Sequence, residues 1–473
     1  MWIQVASNLQ AKLANATDAE RAWLAEYLNF DNQKAHFTGG PSKYRMFNVF
    51  ASAFPAGFLP MVEKAAADAG FKVQRLDTRK APAVFDSTAD LAWLRDDQLE
   101  AVETVVAKAR GILWMPTGSG KTEVAVGLVL ALPCLWLFMV HRTNLVDQAA
   151  ERYERRTGLR AGRIGEGQWD VPADASFVCA TFQTMAQGLD KKDPRVLALL
   201  SSARGLVIDE CHTLPAASFY RVAMSTENAY FRVGLSGTPL ARGDRRSQLA
   251  VAALGPILYR VKTSTLVDAG ILSKGTIHLV EVPQRFDLPT WQGVYGAAVV
   301  RSAPRNRAII ACARRTEKPA VVFVKEIAHG KLLEKALLKA GIPTGFVWGT
   351  HSNDYRKTRV RDLVAGRVDV LVCSVVFQEG IDIPELRSVV VGSGGKSVIA
   401  ALQRIGRGMR RTDGKTTFDV WDIADKGCGC TTPEKHTGCK WLEAHTAQRV
   451  RAYRLEGHTI VREAALLSGL TSA

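Results

Sequence analysis

Apolar and polar residues alternate along most of the chain in a pattern typical of α/β proteins. Between about residues 88 and 260, short apolar runs are separated by stretches in which apolar residues recur at helical spacing. Strands buried on both faces are apolar at every position, so these runs predict a parallel sheet covered by helices. The runs lie at residues 111–115, 135–140, 177–180, 206–208 and 233–235.

The same pattern restarts near residue 300 and predicts a second α/β lobe in tandem with the first. Its apolar runs lie at residues 320–324, 344–348, 370–373, 389–391 and 418–421. The two ends of the chain differ: the first 87 residues predict a small α+β domain, and the stretch after residue 425 carries a cysteine cluster followed by an arginine-rich helix. The predicted domains are 1–87, 88–262, 263–425 and 426–473.

Charge adds a class of partner to this picture. Lysine and arginine outnumber aspartate and glutamate by 62 to 46 in 473 residues, a formal net charge of +16. Such an excess favours a polyanionic partner, because neutralising phosphates releases condensed counterions; a merely soluble basic protein is the alternative. No apolar run reaches the roughly 18–20 residues that span a bilayer, and five scattered cysteines in apolar segments are typical of reduced thiols in a cytosolic protein.

Residues 115–122 (Met-Pro-Thr-Gly-Ser-Gly-Lys-Thr) follow an apolar strand and open a predicted helix, which is the context of a phosphate-binding P-loop. In such a loop the backbone N–H groups face the phosphates of ATP, Lys121 reaches the β- and γ-phosphates, and the Thr122 hydroxyl ligates Mg²⁺. The strict pattern has glycine where this chain has Met115. A chance glycine-rich turn is the alternative, which the agreement of strand, loop and helix disfavours. The predicted nucleotide-binding residues are Thr117, Gly118, Ser119, Gly120, Lys121 and Thr122.

The apolar run at 206–208 ends in two carboxylates, Asp209 and Glu210. At the carboxyl edge of a parallel sheet, Asp209 would hold Mg²⁺, directly or through water, and Glu210 would orient or deprotonate the attacking water. An acidic pair after a strand is often only solvated, but the upstream P-loop gives this pair a function. We therefore expect Lys121, Asp209 and Glu210 to be catalytic.

Residues 403–411, in the second lobe, contain Gln403 and a run of arginines. A guanidinium supplied from across a cleft stabilises the charge that develops during phosphoryl transfer. Arg407 and Arg410 are three residues apart, so a helix would present both on one face. A basic helix face that touches DNA or solvent is the alternative.

These segments, in this order, resemble helicase superfamily 2 over residues 90–425 nearly continuously. The resemblance implies two RecA-like lobes that hydrolyse ATP and move along nucleic acid. The matching segments lie at 94–98, 115–122, 140–145, 180–184, 209–212, 234–239, 322–325, 374–384 and 403–411.

Within that superfamily, the chain is similar to the phage UvsW-type branch-migration helicases, relatives of the XPB group. The similarity rests on residues 234–242, 304–307, 379–386 and 392–397, with 54–60 and 77–79 near the N-terminus. In that family a small N-terminal domain helps to hold duplex or branched DNA.

The resemblance also implies roles around the nucleotide. Gln98 would read the adenine edge and Arg95 would support the nucleotide, although Asp96 and Asp97 replace the proline–aromatic pair usual before the glutamine and make an adenine preference less secure. His212, Ser236 and Thr238 would couple hydrolysis to lobe movement. Gly380 and Asp382 would meet the nucleotide from the second lobe, with Gln403, Arg407 and Arg410 at the γ-phosphate. The strand contacts implied are Arg142, Thr181, Gln183, Lys325 and Ser374.

Three further cysteines cluster near the C-terminus. Cys428, Cys430, His436 and Cys439 have C-x-C-x5-H-x2-C spacing and could surround one tetrahedral Zn²⁺, with His445 as a competing ligand. Such a site would be structural, since four protein ligands leave no open position. Unpaired thiols, or a disulfide formed in vitro, are the alternatives.

The leading functional hypothesis is a monomeric ATP-dependent DNA helicase, 3′→5′ by resemblance, in the cytoplasm of a bacterial or phage-infected cell. Its cofactors would be ATP and Mg²⁺, and its partners single-stranded, forked or branched DNA, with RNA in R-loops and no membrane. The alternatives are a translocase that remodels duplex DNA without separating strands, an RNA helicase, and a non-catalytic nucleic-acid-binding module with a vestigial ATP site.

Overall fold

The computed structural model describes residues 1–32, 41–82, 89–239, 245–283, 288, 290–374, 383, 385–395, 411, 415–426 and 437–463, the side chains of 353 and 437–439 excepted. The chain divides into two units. The first comprises residues 1–116 and 120–261, and the second comprises 117–119 and 262–473.

The N-terminal part of the first unit is a four-stranded sheet with two helices. The sheet order is β5-β2-β1-β6, in which β1 runs antiparallel to β2 and parallel to β6. Alternate residues of β1 and β2 are buried, as expected of strands with one face on a core. Thr17 and Glu20 form a reciprocal capping box that starts α1. The elements are β1 Trp2–Val5, β2 Gln10–Ala14, α1 Asp18–Leu28, β3 Phe30–Asp31, β4 Lys43–Tyr44, β5 Ala53–Pro55, a 3₁₀ turn Ala56–Phe58, α2 Leu59–Asp68 and β6 Gln74–Asp77.

This N-terminal part shares a hydrophobic core with the lobe that follows it. Ile3 and Val5 belong to the same buried cluster as Ile112 and Leu137. The buried Arg110 guanidinium donates to the Asn8 carbonyl oxygen at 2.8 Å. A Cβ atom on Gly57 would overlap the backbone of the helix at residues 248–254. The N-terminal sheet is therefore packed closely against the lobe and not merely tethered to it.

The first lobe is built on an eight-stranded sheet in the order β10-β9-β11-β8-β12-β13-β7-β14. All its pairs are parallel except β9 with β10, a hairpin that the apolar pattern did not predict. Strands β8 and β11–β13 are buried almost throughout, which confirms the predicted parallel sheet. The strands are β7 Arg110–Trp114, β8 Trp136–Val140, β9 Gly162–Gly165, β10 Gln168–Asp170, β11 Phe177–Thr181, β12 Gly205–Asp209, β13 Phe231–Ser236 and β14 Ile257–Arg260. The helices are α3 Asp96–Lys108, α4 Lys121–Ala131, α5 Thr143–Thr157, α6 Phe182–Lys191, α7 Pro194–Ser202, α8 Ala217–Met224 and α9 Gln248–Leu254, with a 3₁₀ turn Cys211–Thr213.

The second unit is a seven-stranded, wholly parallel sheet in the order β17-β18-β16-β19-β20-β15-β21. Its strands are β15 Lys274–Pro283, β16 Ala320–Val324, β17 Thr344–Val347, β18 Val370–Ser374, β19 Ser388–Val391, β20 Thr417–Lys426 and β21 Thr459–Arg462. Its helices are α10 Thr263–Asp268, α11 Trp291–Tyr295 with the π turn Gly296–Val300, α12 Ala303–Arg315, α13 Ile327–Lys339, α14 Asn353–Val364 and α15 Thr437–Leu455.

The C-terminal helix and strand are part of this second unit. Arg449 on α15 is 1% exposed and forms a bidentate ion pair with Asp422 of β20, Nε to Oδ2 at 2.8 Å and Nη2 to Oδ1 at 2.9 Å. Strand β21 pairs with β15, where His278 lies 3.2 Å from Asp419 and 2.7 Å from Glu463. The arginine-rich helix predicted from the sequence therefore turns Arg449 into the protein, and the fold of the second lobe continues past residue 425.

None of the described helices is long and apolar enough to cross a membrane.

Candidate functional site

The P-loop joins the carboxyl end of β7 to the start of α4. Gly118 and Gly120 adopt left-handed backbone angles, φ 87° and 82°, which glycine reaches without steric cost. Gly120 is the N-cap of α4, so the first backbone N–H groups of that helix have no carbonyl partner within the helix and are available to a ligand. Met115, where the strict pattern has glycine, is fully buried, and its N–H donates to the Ser236 carbonyl at 3.0 Å. The methionine that replaces the usual glycine therefore packs in the hydrophobic core of the lobe.

The residues predicted to lie on the adenine side, Arg95 and Gln98, stand at the start of α3, beside this loop. A Cβ atom on Gly120 would overlap Nε2 of Gln98, so the glycine is also required for close approach of the Gln98 amide. The Gln98 Oε1 accepts from the Arg95 backbone N–H at 3.2 Å. Asp97 holds the Arg95 guanidinium through two hydrogen bonds of 2.9 Å. Asp97, one of the two acidic residues that replace the family's proline–aromatic pair, thus fixes the orientation of Arg95.

The acidic pair stands at the carboxyl end of β12. Lys121 Nζ lies 3.4 Å from Glu210 Oε1, and Asp209 Oδ1 accepts from the Glu210 backbone N–H at 2.9 Å. Glu210 has φ 49°, a strained left-handed angle for a residue with a side chain. The residue with this strained backbone is thus the one whose carboxylate contacts the P-loop lysine.

The two carboxyl groups differ in their ionisation. Burial raises the pKa of Asp209 to about 6, and the neighbouring Glu210 carboxylate adds to this effect. Burial also raises the pKa of Glu210, but the charges of Lys121 and His212 outweigh it, so this pKa is lowered. A carboxyl whose ionisation is opposed by burial and by a second carboxylate is a group that a divalent cation stabilises. Asp209 therefore fits the Mg²⁺ expected here, and Thr122, the other predicted ligand, directly follows Lys121 in the first turn of α4.

A hydrogen-bonded chain leads from the acidic pair to the end of β13. His212 Nδ1 lies 3.2 Å from Glu210 Oε2 and 3.1 Å from Ser236 Oγ. Ser236 Oγ also donates to Glu210 Oε2 at 3.4 Å and accepts from the Thr238 N–H at 3.1 Å. The three residues predicted to couple hydrolysis to movement are thus in one network with Glu210.

The predicted strand contacts of the first lobe lie at the carboxyl edge of the same sheet. Arg142 is the N-cap of α5, after β8, and Thr181 is the N-cap of α6, at the end of β11. Gln183 is exposed and its Nε2 donates to the His141 carbonyl at 3.1 Å, which joins the ends of these neighbouring strands. Thr181 is 4% exposed, and its Oγ1 is engaged by the N–H of Thr184.

In the second unit, Lys325 directly follows β16 and Ser374 is the last residue of β18. The two strands are adjacent, since Val324 of β16 pairs with Ser374 of β18. Lys325 Nζ lies 4.9 Å from the centre of the Tyr295 ring. The remaining predicted residues lie outside the described part of the chain, namely Gly380, Asp382, Gln403, Arg407, Arg410, Cys428, Cys430, His436 and the side chain of Cys439.

Two buried arginines of the second unit were not predicted as site residues. Arg305 pairs with Asp425 and donates to the Gly392 carbonyl, and Arg449 donates to the Gly395 carbonyl at 2.6 Å. The Tyr295 hydroxyl donates to the Ser393 carbonyl at 2.6 Å. The glycine-rich segment 392–395, which follows β19, is therefore held by three side chains. Glycine at positions 392, 394 and 395 is the sequence signal that could mark a special backbone here, whereas the three side chains that hold the segment are distant in sequence.

Comparisons with known proteins agree with this geometry. Residues 92–241 match the family "Type III restriction enzyme, res subunit", and residues 304–412 match "Helicase conserved C-terminal domain". The chain is similar to the DNA 3′-5′ translocase XPB2 of Sulfurisphaera tokodaii, at 26% identity over 70% of this chain and 81% of that protein. It is also similar to the ATP-dependent DNA helicase uvsW of Enterobacteria phage T4, at 27% identity over 75% of this chain and 74% of that protein.

Among solved structures, the ATP-dependent Type ISP restriction-modification enzyme LlaBIII, bound to DNA, shares the fold. The TM-score is 0.56 at 17% sequence identity, over 85% of this chain and 34% of the larger enzyme.

Proposed function

We propose that this chain, a member of helicase superfamily 2, is an ATP-dependent DNA helicase that unwinds or branch-migrates forked and recombination DNA with 3′→5′ polarity. One observation carries the proposal. Glu210, which contacts the P-loop lysine, also contacts His212 and Ser236, so the carboxylate assigned to hydrolysis is hydrogen-bonded to the last residue of β13, whose hydroxyl in turn accepts from the Thr238 N–H. A site built only to bind a nucleotide has no need of that connection.

The hydrolytic step is assigned to residues of the first lobe. The P-loop amides and Lys121 would bind the phosphates, and Thr122 and Asp209 would hold Mg²⁺, which supplies charge neutralisation to the phosphoryl group. Glu210 would orient the attacking water and accept its proton. Its lowered pKa keeps the Glu210 carboxylate ionised at neutral pH, the state in which it can accept a hydrogen bond from the attacking water.

Coupling would pass through His212, Ser236 and Thr238. When Glu210 changes its hydrogen bonds during hydrolysis, the Ser236 hydroxyl must exchange partners, and this alters the backbone anchored at Thr238. From the second lobe, the family resemblance assigns Gly380 and Asp382 to the nucleotide and Gln403, Arg407 and Arg410 to the γ-phosphate.

The strand is proposed to follow the residues at the carboxyl edges of the two sheets, namely Arg142, Thr181, Gln183, Lys325 and Ser374. The amide of Gln183 and the cationic groups of Arg142 and Lys325 can bind the phosphodiester backbone without reading sequence, as a motor requires, whereas the Thr181 and Ser374 side chains are buried in this structure. We propose a monomeric cytoplasmic motor in a bacterial or phage-infected cell, with R-loops among its substrates.

The test is ATP hydrolysis by Lys121→Ala compared with wild type, with and without single-stranded, forked, Holliday-junction, tailed-duplex and R-loop substrates. The exposed Lys108→Ala variant is the matched control. We expect DNA to stimulate wild type and the control but not Lys121→Ala. Equal DNA-stimulated turnover in all three proteins would refute the motor.

A translocase that does not separate strands is the second candidate, and the match to a restriction-enzyme motor family favours it. Triplex displacement without unwinding of a forked duplex would select this candidate. Unwinding of both RNA and DNA duplexes at equal rates would select a helicase without DNA preference.

We also propose that Cys428, Cys430, His436 and Cys439 bind one structural Zn²⁺, on the basis of their spacing. Elemental analysis of the purified protein, compared with Cys428→Ser/Cys430→Ser, should find about one zinc per chain in wild type and none in the variant. A metal-free wild-type protein would favour unpaired thiols or a disulfide.

A further inference from the structure

The turn between β4 and β5 presents an aromatic ring to solvent. Phe50 has a relative exposure of 103%, the highest among the large hydrophobic side chains of the described residues, and the adjacent Val49 is 46% exposed. A single exposed apolar residue is ordinary on protein surfaces. Phe50 differs from such cases in how its turn is built.

The backbone below Phe50 is fixed on both sides. Asn48 and Ala53 exchange two hydrogen bonds, of 2.8 and 3.1 Å, and Asn48 Oδ1 accepts from the Ala51 N–H at 3.0 Å. The preceding Phe47 is buried and its N–H donates to Asn29 Oδ1 at 3.1 Å. These contacts anchor the turn to the body of the N-terminal sheet.

The far side of the turn is anchored through Ser52, which has φ 48°, a left-handed angle that a serine adopts only when its surroundings enforce it. The Ser52 carbonyl accepts from the Leu13 N–H at 2.8 Å, and Ser52 Oγ accepts from Arg21 Nε at 3.2 Å. The strained backbone of Ser52 is therefore part of a turn that holds the Phe50 ring in solvent at a defined position.

The surroundings of the turn are basic. Lys43 and Arg45 precede it, Lys12 pairs in register with Ala53, and Arg21 contacts Ser52. Two carboxylates oppose these four cations: Asp18, paired with Arg21 at 3.0 Å, and Asp31, opposite Lys43 in the β3–β4 pair. The neighbourhood thus has four positive and two negative charges. A projecting ring on a turn whose neighbouring residues carry a net positive charge matches the stacking and phosphate contacts that single nucleic-acid strands make.

A protein partner fits this surface less well. The turn itself exposes two large apolar side chains, Val49 and Phe50, and the others exposed in the described N-terminal part lie on other elements: Trp2 on β1, Tyr27 on α1 and Leu76 on β6. Stable protein interfaces bury about 800 Å² on each partner around a cluster of apolar anchors. Two neighbouring side chains on a narrow turn do not supply such a cluster, whereas one base needs only one ring.

We propose that Phe50 is a stacking wedge that holds the bases of a melted DNA junction apart while the ATP motor pulls on the strand. Apolar side chains that insert beside bases replace lost base stacking and hold the unstacked geometry. The rigid turn is what allows the ring to resist re-annealing. This inference rests on the proposed helicase function.

The test uses Phe50→Ala and Phe50→Trp in the full chain, with Leu76→Ala as control, because Leu76 is another exposed apolar residue of the same sheet. Base pairs separated per ATP hydrolysed on a forked duplex are measured, with ATP hydrolysis on single-stranded DNA as the comparison. We expect Phe50→Ala to separate about ten-fold fewer base pairs per ATP, since loss of one stacking contact weakens base binding by about 5- to 150-fold. Phe50→Trp should retain the wild-type ratio, and so should Leu76→Ala.

A second readout is local. The fluorescence of 2-aminopurine at the fork junction, which base stacking in the duplex quenches, should rise when wild type holds the junction open and should stay at the duplex level with Phe50→Ala. If Phe50→Ala separates as many base pairs per ATP as wild type, the wedge is refuted. If Phe50→Ala instead loses ATP hydrolysis on single-stranded DNA to the same extent as it loses unwinding, the wedge is also refuted, and Phe50 is a general strand contact. A lack of DNA-stimulated hydrolysis in wild type would instead refute the motor itself, and the two failures are thereby distinguished.

Discussion

Replacing Arg449 by methionine should destabilise the second unit more than any exposed charge substitution on the same helix. The Arg449 guanidinium and the Asp422 carboxylate are both almost completely buried and bonded through two contacts of 2.8 and 2.9 Å. The Tyr453 hydroxyl donates a third hydrogen bond to Asp422 at 2.8 Å. Methionine fills much of the same volume but leaves Asp422 as an unpaired buried charge.

The expected cost is about 3–5 kcal/mol, the range for removing one partner of a buried ion pair. For a unit of this size, each kcal/mol lowers the unfolding midpoint by roughly 2–4 °C, so we expect a fall of about 6–20 °C. Burial raises the pKa of Asp422, and Arg449 outweighs burial to hold it below its usual value. Without Arg449, only the Tyr453 hydrogen bond and the charge of Arg305 oppose burial, so the folded-state pKa of Asp422 rises. The stability deficit should therefore shrink as the pH falls from 7 towards about 4, where the unfolded carboxyl also protonates.

Thermal and urea unfolding across this pH range would measure the effect, with the exposed Arg451→Met as control at within about 0.5 kcal/mol of wild type. The double variant Asp422→Asn/Arg449→Met should recover part of the loss, because no buried charge remains. Equal midpoints for Arg449→Met and Arg451→Met at pH 7 would show that this pair does not anchor the C-terminal helix.

Three further outcomes are expected. Gly57→Ala should lower the free energy of unfolding by about 1–3 kcal/mol or more, because its Cβ would overlap rigid backbone. Gly345→Ala, whose Cβ would meet only side chains at 3.5 Å or beyond, should be nearly neutral, and equal unfolding free energies for the two variants would contradict the close docking of the N-terminal sheet. Burial lowers the pKa of His278, but its two carboxylate partners outweigh burial and raise this pKa. Wild type should therefore lose stability relative to His278→Phe as the pH rises from about 6.5 through the folded-state pKa of His278. Parallel curves of stability against pH for the two proteins would refute a stabilising contribution from protonated His278. Glu210→Gln should bind ATP normally but hydrolyse it at least about 100-fold more slowly; hydrolysis within a few-fold of wild type would remove Glu210 as the base.

The parallel strands were predictable because strands such as β8 and β11 are buried at every position, and their almost uninterrupted apolar residues show this burial in the sequence. The P-loop was predictable for a similar reason, since its glycines and lysine are contiguous. Strand β21 was not, because an edge strand with mostly exposed residues has no apolar pattern to detect.

The buried arginines show the same limit for side chains. Arg449 reads as one more cation of a basic helix until Asp422, 27 residues earlier, is placed against it. Arg305 depends in the same way on Asp425, 120 residues later. The coupling network was recognisable only as a set of motifs, since the distances that join His212, Glu210 and Ser236 follow from the pairing of β12 with β13.

The position of β15 between β20 and β21 has a consequence for how the protein is made. His278 on β15 and its partner Asp419 on β20 are 141 residues apart. At a synthesis rate of about 5–20 residues per second, a nascent β15 spends roughly 7–28 s without either neighbour. Unpaired strand edges are templates for aggregation during that interval. We therefore expect the yield of soluble protein from the ribosome to depend on chaperones that cover this ten-residue strand, and to improve when translation beyond it is fast.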